Sequence, residues 1–129
     1  MSRKSKGINA ERELVHLFWK HGWAAVRVAG SGSSHYPSPD LVVGNKNRKL
    51  AIECKACKGD RQYLTKQEVD ELVAYAQLFG AEPWIAVRFN TLDWSFHMID
   101  DLTKTENSYG VSRESARKKG LSFAELIQN

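Results

Sequence analysis

Three charged residues in the middle of the chain have types and spacing that suit metal-dependent chemistry. Asp40 begins the apolar segment 41–43, and Glu53 and Lys55 follow within the segment 50–55, after twelve intervening residues. Alternation along a strand places Glu53 and Lys55 on one face, opposite the apolar residues that alternate with them. A carboxylate and an ammonium on an otherwise buried strand need a partner or a ligand. If the two segments form a hairpin, Asp40 lies beside Glu53 and the three charges form one site.

A fourth charged residue, Glu11, lies in the apolar stripe of a predicted helix. Ile8, Glu11, Val15 and Phe18 follow helical spacing and therefore share one face. A carboxylate that points toward the core is costly unless it is paired or binds a cation. Taken alone, a salt bridge with a neighbour would account for Glu11. Its convergence with the two carboxylates of the hairpin is harder to explain structurally, because three negative charges in one place repel one another.

A divalent cation would relieve this repulsion. Carboxylate oxygens, with a backbone carbonyl near Cys54 and no histidine or cysteine ligand, select Mg²⁺, with Mn²⁺ as a substitute, rather than Zn²⁺. Such a cation lowers the pKa of a bound water and neutralises charge on a scissile phosphate, so the pattern predicts phosphodiester hydrolysis. Lys55 would orient or help to deprotonate the attacking water, or act as a plain electrostatic clamp. These roles stay open, as does the choice between one and two metal ions.

The elements that must bring these residues together can be predicted from periodicity and turn signals. An amphipathic helix is predicted over 8–20 and a second over 65–79, where Thr65 and Glu68 form a capping box. Residues 56–63 are expected to be a polar connection. The five strands are predicted at 23–29, 40–44, 50–55, 84–89 and 94–99. This order, with a crossover helix before the fourth strand, predicts an α/β fold with a central mixed five-stranded sheet flanked by helices.

The length and composition of the chain restrict its class. The 129 residues suffice for one domain, 1–129, but not for two. A basic arm, 1–6, and a polar tail, 101–129, with a short helix opened by Ser122, flank the predicted sheet. No run of about 18 apolar residues exists, so we expect no membrane partner. The net charge of +4 favours contact with a polyanion. Two cysteines and no export signal favour an intracellular setting, in the cytoplasm or nucleoid.

The sequence resembles the archaeal-type Holliday junction resolvases of the PD-(D/E)xK nuclease superfamily. The resemblance covers residues 6–96 and is weak after about residue 100. The matching stretches are Gly7-Ile-Asn-Ala-Glu-Arg-Glu-Leu-Val15, Gly22-Trp-Ala-Ala-Val-Arg27, Gly30-Ser-Gly-Ser33, Pro39-Asp-Leu-Val-Val-Gly-Asn45 and Leu50-Ala-Ile-Glu-Cys-Lys55. The resemblance implies a restriction-endonuclease-like core. It also implies a Mg²⁺-dependent homodimer that binds four-way DNA junctions and nicks two opposed strands symmetrically.

The resemblance also implies roles for individual residues. Glu11, Asp40 and Glu53 match metal ligands, and Lys55 matches a catalytic lysine. The helix 65–79 matches the element near the dimer interface. The resemblance further implies that Ser31 takes part in catalysis and that Arg12 and Arg27 take part in DNA binding or cleavage.

Two predicted surfaces fit DNA binding and dimer formation on physical grounds. Arg3, Lys4 and Lys6 precede the Glu11 helix and are placed for phosphate contact, although a solvated terminus would explain them equally well. The helix 65–79 is apolar around so much of its circumference that it has two surfaces to bury. One would contact the sheet and the other a second copy of the chain, although a fully buried crossover helix would give the same pattern.

Two other functions share these features. A different PD-(D/E)xK nuclease, of the repair or restriction type, would have the same core, but a restriction enzyme usually needs further elements to contact base edges. A non-catalytic DNA-binding subunit would keep the fold, but we would expect such a protein to lose one of the four charged residues. A junction is distinguished by the paths of its phosphates, which suits a small protein that recognises shape.

Overall fold

A computed structural model describes residues 3–30 and 35–128, with side chains from residue 6 onward. The helices are α1 (Arg3–Lys20), α2 (Lys66–Phe79), α3 (Arg113–Lys119) and α4 (Phe123–Gln128). The strands are β1 (Ala24–Arg27), β2 (Leu41–Gly44), β3 (Lys49–Cys57), β4 (Arg61–Thr65), β5 (Glu82–Phe89), β6 (Ser95–His97), β7 (Thr103–Lys104) and β8 (Ser108–Ser112). Within these residues, no helix is long and apolar enough to cross a membrane.

The central sheet has five strands in the order β1-β2-β3-β5-β6. The strands β1, β2 and β3 are antiparallel neighbours, β5 is parallel to β3, and β6 is antiparallel to β5. A parallel pair requires a crossover connection, and α2 lies in it. The predicted mixed five-stranded sheet with flanking helices is therefore confirmed.

Strand β3 separates two parts of the hydrophobic core. Leu50 and Ile52 pack in a cluster with residues of α1 and α4. Ala51 and Cys57, on the opposite face, pack in a cluster with residues of α2 and β8. The predicted alternation is thus confirmed, and Glu53 lies on the face that α2 covers.

Helix α1 begins at Arg3 rather than at Ile8. Residues 3–6, predicted as an arm that precedes the helix, therefore belong to its first turns. Apolar periodicity could not predict this extension, because the added residues are basic or small and polar. The helix ends before Gly22, which has a left-handed φ of 84° just after the last turn.

The prediction of a polar connection over 56–63 is wrong. Strand β3 continues to Cys57, and β4 then pairs with β8 in a second sheet of order β4-β8-β7. The β4–β8 pair is antiparallel, with Arg61 opposite Ser112 and Thr65 opposite Ser108. The partner of β4 lies more than forty residues away in the sequence. Local polarity therefore had no bearing on whether this segment would pair.

The tail packs as part of the domain. Helix α4 buries Leu126 in the cluster next to α1, and α3 buries Ala116 on the other side of the sheet. The predicted start of α4 is confirmed, because the Ser122 amide donates to Glu125 and the Glu125 amide donates to the Ser122 hydroxyl. Arg48, in the β2–β3 turn, donates to the carbonyl of Leu126 at 2.6 Å.

Candidate active site

The β2–β3 hairpin places Asp40 beside Glu53. Leu41 pairs with Ile52 in this hairpin, so the next position along each strand sets Asp40 opposite Glu53. The Asp40 amide donates to the carbonyl of Ile52 at 3.0 Å, and Oδ2 of Asp40 accepts from the amide of Cys54 at 2.8 Å. Both the main chain and the carboxylate of Asp40 are therefore held against β3.

The environment of Glu53 disfavours its ionisation. Its side chain is only 17% exposed. Burial, and next the negative charge of Asp40, raise the pKa of Glu53 to about 8. The Lys55 ammonium, 4.0 Å from Oε2 of Glu53, opposes this rise but does not cancel it. Adjacent carboxyl groups with one pKa raised this far are typical of functional sites.

Lys55 contacts a carboxylate that the sequence had assigned to helix capping alone. Its ammonium donates to Oε2 of Glu68 at 2.6 Å. The other oxygen of Glu68 accepts from the Thr65 amide at 2.9 Å, and the Glu68 amide donates to the Thr65 hydroxyl at 3.0 Å, which confirms the predicted capping box. Burial acts to lower the pKa of Lys55, but the hydrogen bond to Glu68 and the surrounding negative charge raise it overall. The Lys55 side chain is therefore a charged ammonium at neutral pH.

Glu11 enters the site from α1 and is paired with Arg27 of β1. Nη1 of Arg27 lies 3.4 Å from Oε1 of Glu11, and both side chains are partly buried. Burial and the charge of Asp40 raise the pKa of Glu11, while Arg27 acts to lower it. The Glu11 carboxylate of α1 therefore lies close enough to Asp40 for the two negative charges to repel each other.

One cleft of about 510 Å³ joins these side chains. Glu11, Asp40, Glu53 and Lys55 all line it, so the four residues that were predicted to act together do lie together. Within the described residues, however, no three acidic, histidine or cysteine side chains are close enough in these conformations to hold one metal ion. Other residues that line the cleft include Tyr36, Ser38, Thr65, Gln67 and Glu68.

The residues predicted to contact DNA lie mainly on α1. Arg12 is exposed next to Glu11, and Lys6 is partly buried nearer the start of the helix. Arg27 lies in β1, where its guanidinium is engaged with Glu11. The side chains of Arg3 and Lys4, and the whole of Ser31, lie outside the described residues.

Several residues of the cleft, among them Glu68 and Tyr36, were not predicted to belong to it. Glu68 had a sufficient local explanation as the third residue of a capping box, which concealed its second contact with Lys55. Tyr36 is 82% exposed at the cleft, in the loop before Asp40. Its position in a loop with many turn-forming residues gave no periodicity from which its direction could be predicted.

Known proteins are similar to this chain in both sequence and fold. A family model described as archaeal Holliday junction resolvase (Hjc) matches residues 2–129. The chain belongs to this resolvase family. A relative from Archaeoglobus fulgidus, named crossover junction endodeoxyribonuclease Hjc, is 44% identical over 123 residues, which are 95% of this chain and 90% of the relative. A relative of the same name from Sulfolobus acidocaldarius is 30% identical over 130 residues, covering 99% of this chain and 90% of the relative.

A solved structure of Archaeoglobus fulgidus Hjc, described as a Holliday junction resolvase from an archaeal hyperthermophile, also matches. It aligns with a TM-score of 0.88 and 40% identity, over 93% of this chain and 97% of that chain. The restriction-endonuclease-like core expected for the resolvase family is therefore confirmed. The family model also includes residues 101–129, which agrees with the packing of α3 and α4 into the domain.

Proposed function

We propose that this chain is a structure-selective, metal-dependent endonuclease that resolves four-way DNA junctions by paired symmetric nicks. The observation that carries the proposal is the single cleft lined by Glu11, Asp40, Glu53 and Lys55. The relatives named crossover junction endodeoxyribonucleases support the same substrate class. Such a substrate would place the protein with intracellular DNA, in the cytoplasm or nucleoid.

The donor atoms of the cleft fit a hard divalent cation, Mg²⁺ or as a substitute Mn²⁺. Asp40, Glu53 and a backbone carbonyl near Cys54 would hold it, and Glu11 would join them by giving up its contact with Arg27. Burial and the negative charge of Asp40 raise the pKa of Glu53, and a bound cation would offset both carboxylate charges. The Cys54 thiol does not compete, since burial and the nearby carboxylates keep its pKa well above the ordinary value. A bound cation would supply an activated water and neutralise charge on the phosphate.

Lys55 would act as an electrostatic clamp in this site. A general base must be neutral before it accepts a proton, and the raised pKa of Lys55 opposes this. A charged ammonium can instead orient the attacking water and stabilise the charge that develops on the phosphate oxygens.

A homodimer would supply two clefts for two opposed strands. At the end of α2, the side chain of Leu78 is 92% exposed, and Tyr75 stacks on the partly exposed Phe79 with ring centroids 5.4 Å apart. A contiguous exposed apolar patch is typical of a protein interface. We expect sedimentation to give a dimer for the wild type and a monomer for Leu78→Glu. If Leu78→Glu sediments as a dimer, the interface does not include this end of α2.

Five basic residues of α1 and β1 would bind the phosphate backbone of the junction. These residues are Arg3, Lys4, Lys6, Arg12 and Arg27. Because each phosphate contact releases counterions, Arg12→Ala should weaken junction binding and reduce the slope of log K against log salt by about one. An unchanged slope would mean that Arg12 contacts no phosphate.

The central experiment compares DNA structures. Labelled four-way junction, linear duplex and flap DNA are incubated with the protein in Mg²⁺, in Mn²⁺ and in EDTA. We expect paired symmetric nicks in the junction alone, and only with a divalent cation. Equal cutting of linear duplex would refute junction resolution and favour a repair or restriction type of nuclease.

A pair of variants tests the assignment of the cleft. Glu53→Ala should abolish nicking and leave junction binding intact, because it removes a proposed metal ligand but no basic residue. Glu106→Ala is the matched control, since it removes an exposed glutamate from the turn before β8. Nicking by Glu53→Ala at the rate of the control would show that the metal site is elsewhere.

A further inference from the structure

The carboxylate of Glu68 has two partners of different kinds. One oxygen accepts from the Thr65 amide, and so is fixed by the start of α2 itself. The other accepts from the Lys55 ammonium at 2.6 Å. The same ammonium is 4.0 Å from Glu53. Of the two carboxylates beside Lys55, Glu68 is therefore the one that holds it.

The geometry of the cap makes Glu68 a rigid partner. A capping box uses only one of the two glutamate oxygens, so the second is available to a side chain outside the helix. The first turns of α2 are anchored in the core through Val69 and Leu72, both buried. Lys55, by contrast, has a long flexible stem that loses considerable rotamer freedom when its head is held in one place. The helix start thus supplies a fixed acceptor for a mobile side chain.

The position of Lys55 matters because the alternative partner is Glu53. Both acidic side chains are partly buried, and Lys55 lies between them on the face of β3 that α2 covers. If the contact with Glu68 were absent, the carboxylates left to attract the ammonium would be Glu53, at 4.0 Å, and Asp40. A close Lys55–Glu53 pair would neutralise a carboxylate that the proposed function needs for a cation.

We propose that Glu68 is a positioning residue, which holds Lys55 over the cleft and away from Glu53. The inference rests on the proposed function, because it assumes that Glu53 binds a cation and that Lys55 assists nicking. It adds the first turn of α2 to the groups that determine the rate, although Glu68 itself touches neither phosphate nor metal.

The test variant is Glu68→Gln, and its matched control is Asp70→Asn. Glutamine keeps an oxygen for the Thr65 amide and is compatible with a capping box, but it loses the charge that holds Lys55. Asp70→Asn removes the same charge from an exposed site on the same helix. We expect Glu68→Gln to lower kcat by roughly 10- to 100-fold with an unchanged KM for the junction, as is typical when a supporting residue is lost. Asp70→Asn should match the wild type.

A second readout does not depend on nicking. Binding of Mn²⁺ to the DNA-free protein, followed through the spin-resonance signal of free Mn²⁺, should be several-fold weaker in Glu68→Gln because Lys55 then competes for Glu53. In a Lys55→Met background, Glu68→Gln should not weaken Mn²⁺ binding further. An equal loss in both backgrounds would mean that Glu68 does not act through Lys55, and would overturn the inference.

The variant Thr65→Ala distinguishes the loss of the Lys55–Glu68 contact from a general loss of helix stability. This variant removes the hydroxyl half of the same capping box and leaves the carboxylate of Glu68 in place. It should lower Tm at least as much as Glu68→Gln but reduce kcat less. The opposite order overturns the inference, as do wild-type kcat and Mn²⁺ binding in Glu68→Gln. A wild-type protein that binds Mn²⁺ without nicking junctions would instead contradict the proposed function.

Discussion

Replacing Glu53 by glutamine should make the metal-free protein more stable at pH 8 while abolishing its nicking activity. The side chain is largely buried beside Asp40, and burial, followed by the charge of Asp40, raises the pKa of Glu53 from 4.5 to about 8. At pH 8 the folded protein must therefore keep a poorly solvated charge, or a proton that the unfolded chain would release. Glutamine has the same shape and no charge, so it avoids both costs.

The pH dependence follows from linkage. The folded state binds the Glu53 proton more tightly than the unfolded state, so folding is favoured below pH 4.5 and the benefit is lost as pH rises toward 8. A shift of this size corresponds to about 4 kcal/mol at pH 8. Because Asp40 shares the repulsion and can relax, we expect Glu53→Gln to gain about 2 to 4 kcal/mol. This gain corresponds to a rise in Tm of roughly 5 to 15 °C for a domain of this size.

The assay is calorimetric unfolding in EDTA at several pH values from 5 to 8. The difference in Tm between Glu53→Gln and the wild type should grow as pH rises, and the exposed control Glu106→Gln should show no such trend. Mg²⁺ should raise the Tm of the wild type and leave that of Glu53→Gln almost unchanged, because a ligand stabilises only the state that binds it. A variant less stable than the wild type at pH 8, or a difference that does not depend on pH, would refute this reasoning.

Three further predictions concern the rest of the domain and are checked by equilibrium unfolding. Arg48→Met should cost about 2 to 3 kcal/mol, because Arg48 makes a bidentate pair with Glu82 at 2.8 Å. The side chain of His97 is only 1% exposed, and burial lowers its pKa from 6.5 to about 4. About 3 kcal/mol of stability should therefore be lost as pH falls between these values, and His97→Gln should remove this dependence. Gly120→Ala should cost about 1 to 3 kcal/mol, because a Cβ there would lie 2.6 Å from a backbone carbonyl oxygen.

Each of these predictions has a control and an outcome that contradicts it. Lys46→Met removes an exposed cation from the turn that holds Arg48, and an equal loss in the two variants would mean that the bidentate pair contributes nothing. Gly7→Ala, in α1 with open space around the glycine, should be stabilising by about 0.5 to 1 kcal/mol. If Gly120→Ala behaves like Gly7→Ala, the contact at Gly120 relaxes without cost. If the stability of His97→Gln falls with pH as steeply as that of the wild type, the loss of stability at acid pH is caused by the carboxylates and not by His97.

Much of the site could be predicted because its parts are local in sequence. A tight hairpin sets the register between Asp40 and Glu53, and strand alternation sets the face of Glu53 and Lys55. Helical periodicity predicts that Glu11 points toward the sheet, and Glu11 lines the same cleft. These relations depend only on the periods of helices and strands and on a short turn, so the chain itself carries them.

Contacts between distant segments could not be predicted in the same way. Arg27 is the partner of Glu11, and β8 is the partner of β4, because the packed domain brings these segments together. Nothing in the polarity of either segment specifies its partner. The start of α1 at Arg3 was missed for a related reason, since the added residues carry no apolar stripe.

Lys55 illustrates the boundary between the two kinds of information. Sequence alone determined that Lys55 shares a strand face with Glu53, and that Glu68 caps the following helix. Only the tertiary structure decided that Glu68, and not Glu53, accepts the hydrogen bond from Lys55. The choice depends on where the first turn of α2 docks on β3. That docking results from burial of apolar side chains along the whole helix. Because such burial is non-directional, the types and spacing of Lys55 and Glu68 do not predict that the two residues will meet.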